Sequence, residues 1–327
     1  MKVYNIGILG AGRIARTMAE TIHGMKNARC YAIASRTLEK AERFAEDFGF
    51  EKAYGSYEEL AADEQVDLIY IATPHSEHLA NTKLCIQYHK PALVEKAFTV
   101  NAGQAEELLA LAKQEKVFVT EAIWVRYMPF LEKIREVVNS GIIGKPKLLT
   151  ANLGYNIVHK SRLVKPELAG GALLDVGVYA LNFACMIFGT DFVKTSSVCT
   201  YAETGVDEQD SMTLIYPDGK MAVLNASMVS ISDRKGIIHG EKGFIIVENI
   251  NNFESITVYD DAYREIAHYD REKQITGYEY EVEAALKAIE SGALECGEMP
   301  HAETIRMMEI MDGFREEWKL MYPCESV

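Results

Sequence analysis

Six residues near the start of the chain, Gly10-Ala11-Gly12-Arg13-Ile14-Ala15, follow directly on the apolar run YNIGILG and open a segment, Arg13 to Met25, with helical spacing. In that setting the pattern G-x-G-x-x-G/A has a reason at each position. Gly10 permits a tight turn, Gly12 lets the backbone approach a pyrophosphate, and Ala15 lets helix and strand close on each other. Free N–H groups at the helix start, where Arg13 and Ile14 sit, then face the anion. A βα turn that binds nothing satisfies the same six letters. Context decides between the two.

That context is a series of short apolar runs alternating with longer amphipathic ones, the grammar of βαβ units and a parallel sheet. CYAIAS, AYGS, VDLIYIAT, PALVEK and VFVTEA read as further strands, with helices predicted over Leu38–Phe48, YEELAAD, His78–Tyr88 and Ala102–Gln114. VDLIYIAT is β-branched and apolar on both faces, which suits burial inside a doubly wound sheet. Beyond Ala122 the period changes. One helix is expected from Pro129 to Ser140, and then extended segments dominate, from PKLLTANLGYNI to YREIAHY. Pro217-Asp218-Gly219 and the tetrad Gly240 to Gly243 carry hairpin signals. An amphipathic helix is expected near Gly170–Phe188, and two more, near Tyr278–Ser291 and His301–Met321, close the chain. With 327 residues there is room for two cores, which usually separate beyond roughly 250 to 300. The expected fold is α/β: a Rossmann doubly wound parallel sheet over residues 1–122, and an α+β domain with a large, mostly antiparallel open sheet over 123–327.

Charge and cysteine usage narrow the partners. A net charge of −14 repels nucleic acid and anionic membrane surfaces, so neither is expected as a partner. The six cysteines are scattered without a CxxC pair, as suits reduced thiols in the cytoplasm. The chain enters its first strand almost at once, which leaves no room for a signal peptide. The most apolar later stretch, Val176 to Phe188, is short for a bilayer span and carries Asn182. The histidines do not repeat at zinc-ligand spacing, and no metal is expected.

The end of the second strand bears on which dinucleotide would bind. An NAD site places an acidic side chain there to accept from the ribose 2′-hydroxyl. Here the strand ends Ala34-Ser35-Arg36, with Lys40 one helical turn further on. A hydroxyl and two cations stand where a 2′-phosphate would sit, and Arg36 offers a planar donor fork. NADP(H) is therefore expected in preference to NAD(H). The alternative is an exposed loop arginine and a solvated lysine.

Ligands of such sheets lie outside the carboxyl ends of the strands. The fourth strand runs into Thr73-Pro74-His75-Ser76-Glu77-His78, the fifth ends Glu95-Lys96, and beyond the sixth come Glu121, Trp124 and Arg126. Moving a hydride between an alcohol carbon and nicotinamide needs a group that takes or gives the hydroxyl proton. Lys96 qualifies if burial and a cationic ring lower its pKa; otherwise Glu95 and Lys96 are a surface pair. A second constellation is Gly170-Gly171-Ala172-Leu173-Leu174-Asp175-Val176-Gly177-Val178-Tyr179. Asp175 and Tyr179 are four apart and would share one face of a helix. Tyr179 would exchange the proton and Asp175 would orient it, or the segment is simply a capped helix with a half-buried tyrosine.

Taken together, these motifs resemble the glucose–fructose oxidoreductase and inositol dehydrogenase family, Gfo/Idh/MocA. The resemblance rests on the glycine loop, Thr73-Pro74 with His78, Glu95-Lys96, Gly-Gly…Asp175…Tyr179, and the terminal run MPHAETIRMMEIMDGFREEW. TEAIWVRYMP and GGALLDVGVYAL are similar to the branch of dimeric dihydrodiol dehydrogenases and NADP-linked sugar dehydrogenases. The resemblance implies that Lys96 positions nicotinamide and substrate, that Tyr179 is the acid/base group with Asp175 its acidic partner, and that His75, His78, Trp124 and Arg126 line the cleft. It also implies oligomerisation through the second sheet, as a homodimer or homotetramer. One position departs: the usual Glu-Lys-Pro reads Glu95-Lys96-Ala97, without the cis-capable proline.

The expected function is an NADP(H)-dependent oxidoreductase acting on a sugar, sugar derivative or vicinal diol or its carbonyl form, with substrate entering between the domains. Asp175, His78, Arg126 and His159 or Arg162 suit a hydroxyl-rich substrate. Two alternatives remain open: a non-catalytic dinucleotide-binding regulator, which would not need Lys96 and Tyr179, and an enzyme holding NADP tightly while cycling between two sugars.

Overall fold

The structure, a computed structural model, describes residues 2–325. The chain divides into two compact units, and each is discontinuous. One takes the residues up to Tyr127 together with Gln274–Met308; the other takes Met128–Lys273 and the residues from Glu309 onward. The expected boundary near 122 lies close to the first crossing. However, 123–327 is not one body, because residues 274–308 return to the first unit. Local periodicity identifies an element and is silent on which sheet it packs against.

Six parallel strands form the sheet of the first unit: β1 (Tyr4–Leu9), β2 (Ala28–Ala34), β3 (Lys52–Tyr54), β4 (Leu68–Ile71), β5 (Ala92–Glu95) and β6 (Val119–Ala122). Their order is β3-β2-β1-β4-β5-β6, so the direction of winding reverses between β1 and β4. All four residues of β4 and of β5 are buried, which is why these strands are apolar throughout. Helices α1 (Arg13–Gly24), α2 (Leu38–Phe48), α3 (Tyr57–Ala62), α4 (His75–Gln87) and α5 (Ala102–Glu115) connect them. Two of these have side-chain caps. Ser56 and Glu59 form a reciprocal capping box on α3, and Asn101 accepts from the Gln104 N–H at 2.9 Å on α5.

The second unit opens with α6 (Phe130–Asn139) and contains β7 (Pro146–Gly154), α7 (Val178–Phe188), β8 (Lys194–Tyr201), β9 (Asp207–Ile215), β10 (Met221–Ser227), β11 (Gly236–Gly240), β12 (Gly243–Glu248), β13 (Ser255–Asp260) and β14 (Glu265–Asp270). These strands make one sheet in the order β14-β13-β12-β11-β7-β10-β9-β8, antiparallel except where β10 lies parallel to β7. The expected hairpins join β9 to β10 and β11 to β12. Along β10, Ala222, Leu224 and Ala226 are buried while Met221 and Asn225 are exposed, so one face is packed and the other open. Finally α8 (Glu279–Ser291) belongs to the first unit, as does α9 (His301–Trp318) as far as Met308.

The segment 170–188 differs from expectation in two respects. It is not one amphipathic helix: Leu173–Gly177 is a π-helical turn, and in the following α7 every residue from Val178 to Met186 is buried. A helix that is apolar all round has no solvent face. By length and composition the stretch Pro166–Phe188, at 23 residues, also suffices for a membrane crossing, contrary to the reading of Val176–Phe188 alone; 89% of its apolar window is buried within the protein. It is a core element, packed on β7 and β10.

Candidate active site

The loops after β1 and β4 meet where the winding reverses. Gly10 N–H donates to the Ala34 carbonyl at 2.9 Å, and Ala72 N–H to the Leu9 carbonyl at 2.8 Å. Gly10 has φ +103°, and a Cβ there would lie 2.9 Å from the Ala72 carbonyl oxygen, so a side chain is excluded by conformation and by space. Gly12 is different. Its φ of −95° suits any residue, and a Cβ would find nothing nearer than the Ala72 oxygen at 3.8 Å. The protein's own atoms leave that space open. Among the described residues no side chain caps α1 and its first turn holds no carboxylate, so the N–H groups at its start, behind Arg13 and Ile14, can donate to an anion. Ala15 is fully buried, as close helix–strand packing requires. A dinucleotide pyrophosphate fits this cradle.

At the end of β2, Ser35 is buried and its N–H donates to the Tyr54 carbonyl at 3.2 Å. Arg36 and Lys40 are exposed and, among the described residues, in no ion pair, although Arg43 one turn on is tied to Glu39. Two unpaired cations therefore flank the strand end where a 2′-substituent would sit.

Lys96 follows β5 with its side chain half-buried, and the Lys96–Ala97 peptide is cis although no proline is present. Behind it lies a buried acid cluster. Glu95 accepts from the Tyr70 hydroxyl and, at 3.2 Å, from the Lys96 N–H. Glu281 of α8 is completely buried, and among the described residues neither of its oxygens has a hydrogen-bond partner. Burial, and then the charge of Glu95, push its pKa well above the carboxylate range. Glu121, also buried, accepts from the Phe98 N–H at 3.2 Å and is pushed up to about 7 by burial, against the pull of nearby Arg126.

The structure sorts the remaining expected residues of this unit. His78 is fully buried, with Nδ1 2.9 Å from the Ala97 carbonyl oxygen and Nε2 2.9 Å from that of Thr73. It thus ties the Thr73-Pro74 turn to the loop that carries Lys96, and both its ring nitrogens are engaged by backbone. Burial lowers its pKa, which favours the neutral ring with one N–H to share between two acceptors. Thr73 Oγ1 is held by Asn81 at 3.0 Å. His75 is buried with its ring edge-on to His78, centroids 5.8 Å apart. Trp124 stacks on Tyr278 at 4.2 Å, and Arg126 pairs with Glu303 at 2.6 Å. Tyr278, Glu281 and Glu303 all come from the returning segment and were not expected in the site. A signal for Glu281 exists: it stands on the stripe Tyr278, Glu281, Val282, Ala285 of α8, an acid at an apolar position.

In the second unit, Arg162 Nη2 donates to Asp175 Oδ1 at 2.8 Å, which brings together two of the expected substrate ligands. Asp175 is 8% exposed and Tyr179 7%. The π turn holding Asp175 ends at Gly177, before Tyr179, so the argument that residues four apart share a helical face does not carry across it. π turns recur at functional sites because they re-aim side chains within a helix. His159 is exposed and is not drawn into this cluster.

Comparisons with known proteins agree with this architecture. Residues 4–123 match the description "Oxidoreductase family, NAD-binding Rossmann fold", and residues 131–246 match "GFO/IDH/MocA C-terminal domain". A trans-1,2-dihydrobenzene-1,2-diol dehydrogenase of Xenopus tropicalis is 34% identical over 325 residues, covering 97% of this chain and 98% of that protein. The Homo sapiens protein of the same name is 31% identical, covering 97% of each. Among solved structures, a 3-ketoreductase from Actinomadura kijaniata, in complex with NADP and TDP-benzene, superposes with a TM-score of 0.88 at 21% identity, covering 96% of this chain and 98% of that one. With both of its domains and nearly its whole length matched, the chain belongs to the Gfo/Idh/MocA family of oxidoreductases with an NAD-binding Rossmann fold.

Proposed function

We propose that the protein is an NADP(H)-dependent oxidoreductase acting on the CH–OH group, or the corresponding carbonyl, of a sugar, a sugar derivative or a vicinal diol. One observation carries the cofactor half of this reading. The open, uncapped start of α1 and the unpaired Arg36 and Lys40 at the end of β2 offer donors and positive charge at the two places where NADP carries phosphate. The names of the relatives, which act on a dihydrodiol or were solved with NADP, support the substrate half.

The residues divide the work as follows. Gly10, Gly12 and the first turn of α1 hold the pyrophosphate, and Ser35, Arg36 and Lys40 hold the 2′-phosphate. A nicotinamide held there would supply or accept the hydride. Lys96, fixed through Glu95 and Tyr70, holds the substrate oxygen, and Tyr179 gives or takes its proton. Asp175, oriented by Arg162, accepts a hydrogen bond from a neighbouring substrate hydroxyl. His78 keeps two loops in place, and Trp124 closes the pocket wall with Tyr278. Acid–base assistance of this kind is typically worth about 10²- to 10⁴-fold.

We place the enzyme in the cytoplasm as a homodimer or homotetramer that associates through the open face of the eight-stranded sheet. None of the six cysteines forms a disulfide among the described residues, and Val198 on that sheet is 67% exposed. The test is an absorbance screen at the nicotinamide band with NADP⁺ and NAD⁺ across aldoses, cyclitols and vicinal diols. Turnover of at least one class, faster with NADP⁺, is expected. Silence across all three classes with both nucleotides would overturn the proposal.

A further inference from the structure

The second unit carries a pair of buried carboxylates to which the proposed chemistry assigns no role. Asp207 opens β9 and is fully buried; Asp210, three residues on, is 4% exposed. Regular strand alternation would point them to opposite faces. A bulge prevents this. Thr200 pairs with Gln209 and Tyr201 with Asp207, so Glu208 is an extra residue on β9, and Asp207 turns to the packed side with Asp210, Met212 and Leu214.

From there Asp207 reaches the start of the segment that bears Asp175 and Tyr179. Its Oδ2 accepts from the Leu173 N–H at 2.5 Å, the first residue of the π turn. The preceding Gly171 has φ +122°, and a Cβ there would lie 2.1 Å from Asp207 Oδ1. The glycine is what admits the carboxylate. Among the described residues Asp207 Oδ1 and both oxygens of Asp210 lack a donor, and two ionised carboxylates side by side repel. A proton on Asp210 removes the repulsion and gives Asp207 Oδ1 a donor, the Asp210 hydroxyl. Burial, followed by the charge of Asp207, raises Asp210 well above the usual carboxylate range, and burial raises Asp207 as well, to about 6. The other titratable groups facing the pair are Tyr322, buried, and Cys199 and Tyr201 on β8; Arg315, 5.0 Å from the centre of the Tyr322 ring, is neutralised by Asp312 and Glu325.

We propose that Asp207, with Asp210 sharing its proton, is a positioning residue that fixes the π turn and thereby the placement of Asp175 and Tyr179. The inference rests on the reading that Tyr179 handles the substrate proton.

Three variants test it, assayed with NADP⁺ and the diol or sugar turned over fastest in the screen above. Asp207→Ala, which removes the acceptor of the Leu173 N–H, should cut kcat about tenfold or more, leave NADPH affinity intact, and accelerate hydrogen exchange over residues 173–179. Asp207→Asn, whose amide oxygen still accepts from that N–H, should restore most of the lost turnover. If Asp207→Ala fails to fold, Asp210→Ala, which withdraws the hydroxyl shared with Asp207, replaces it and should accelerate exchange over the same residues. Unchanged kcat and exchange in the alanine variant, or no recovery in Asp207→Asn, overturns the positioning role. Tyr179→Phe runs beside them: full turnover there defeats the assignment of Tyr179 itself, whereas loss there with no effect of Asp207→Ala defeats only the positioning role.

Discussion

Gly12 and the pair Gly170-Gly171 each precede a helix, and they are glycine for opposite reasons. At Gly10-Ala11-Gly12 the second glycine has an ordinary φ and empty space where a Cβ would stand. At Gly170-Gly171 the space is already taken, by the Leu163 carbonyl oxygen 2.4 Å from one hypothetical Cβ and by Asp207 2.1 Å from the other. Gly12 keeps room for a visitor; the second pair lets the protein fill itself. Identical letters thus separate a binding loop from a packing joint, and only the atoms around them reveal which is which.

The contrast is open to experiment. Gly171→Ala puts a side chain at φ +122° and against a buried carboxylate, and should cost about 3 kcal/mol or more, a fall in Tm of roughly 5–10 °C by calorimetry. A variant as stable as the parent would dissolve the distinction. Lys96→Ala, on the ligand side, should leave Tm and NADPH titration nearly unchanged while steady-state turnover drops at least about a hundredfold. Arg36→Asp should weaken NADPH by about ten- to a hundredfold in fluorescence titration and NADH far less, since a charge-assisted bond to the 2′-phosphate is replaced by repulsion. Equal losses for both nucleotides would move the phosphate elsewhere. The mildest change is Gly12→Ala: stability unchanged within about 0.5 kcal/mol, with dinucleotide affinity reduced about tenfold.

Much of the first unit was legible because each βα unit announces itself by period and turn. Leu38–Phe48 is a helix as expected, and the strands fall within a few residues of their apolar runs. The glycine turn that opens α1 was equally readable, since its parts are contiguous. What escaped was assembled across distance. The stacking of Tyr278 on Trp124, the pairing of Glu303 with Arg126, and the reach of Asp207 to Leu173 join residues 34 to 177 positions apart. No local pattern encodes such meetings. The helix after Gly171 was misjudged for a related reason: an apolar run with a few polar letters reads as amphipathic until its neighbours are known to enclose it.

The returning stretch 274–308 has a consequence for biosynthesis. Domains generally fold in the order in which the ribosome releases them. Here the dinucleotide unit lacks the covers of Trp124 and Arg126 until more than 300 residues have been made. The nascent N-terminal part must wait, partly open, while the whole intervening unit is synthesised. A stop codon near residue 273 would therefore injure the beginning of the protein and not merely its end.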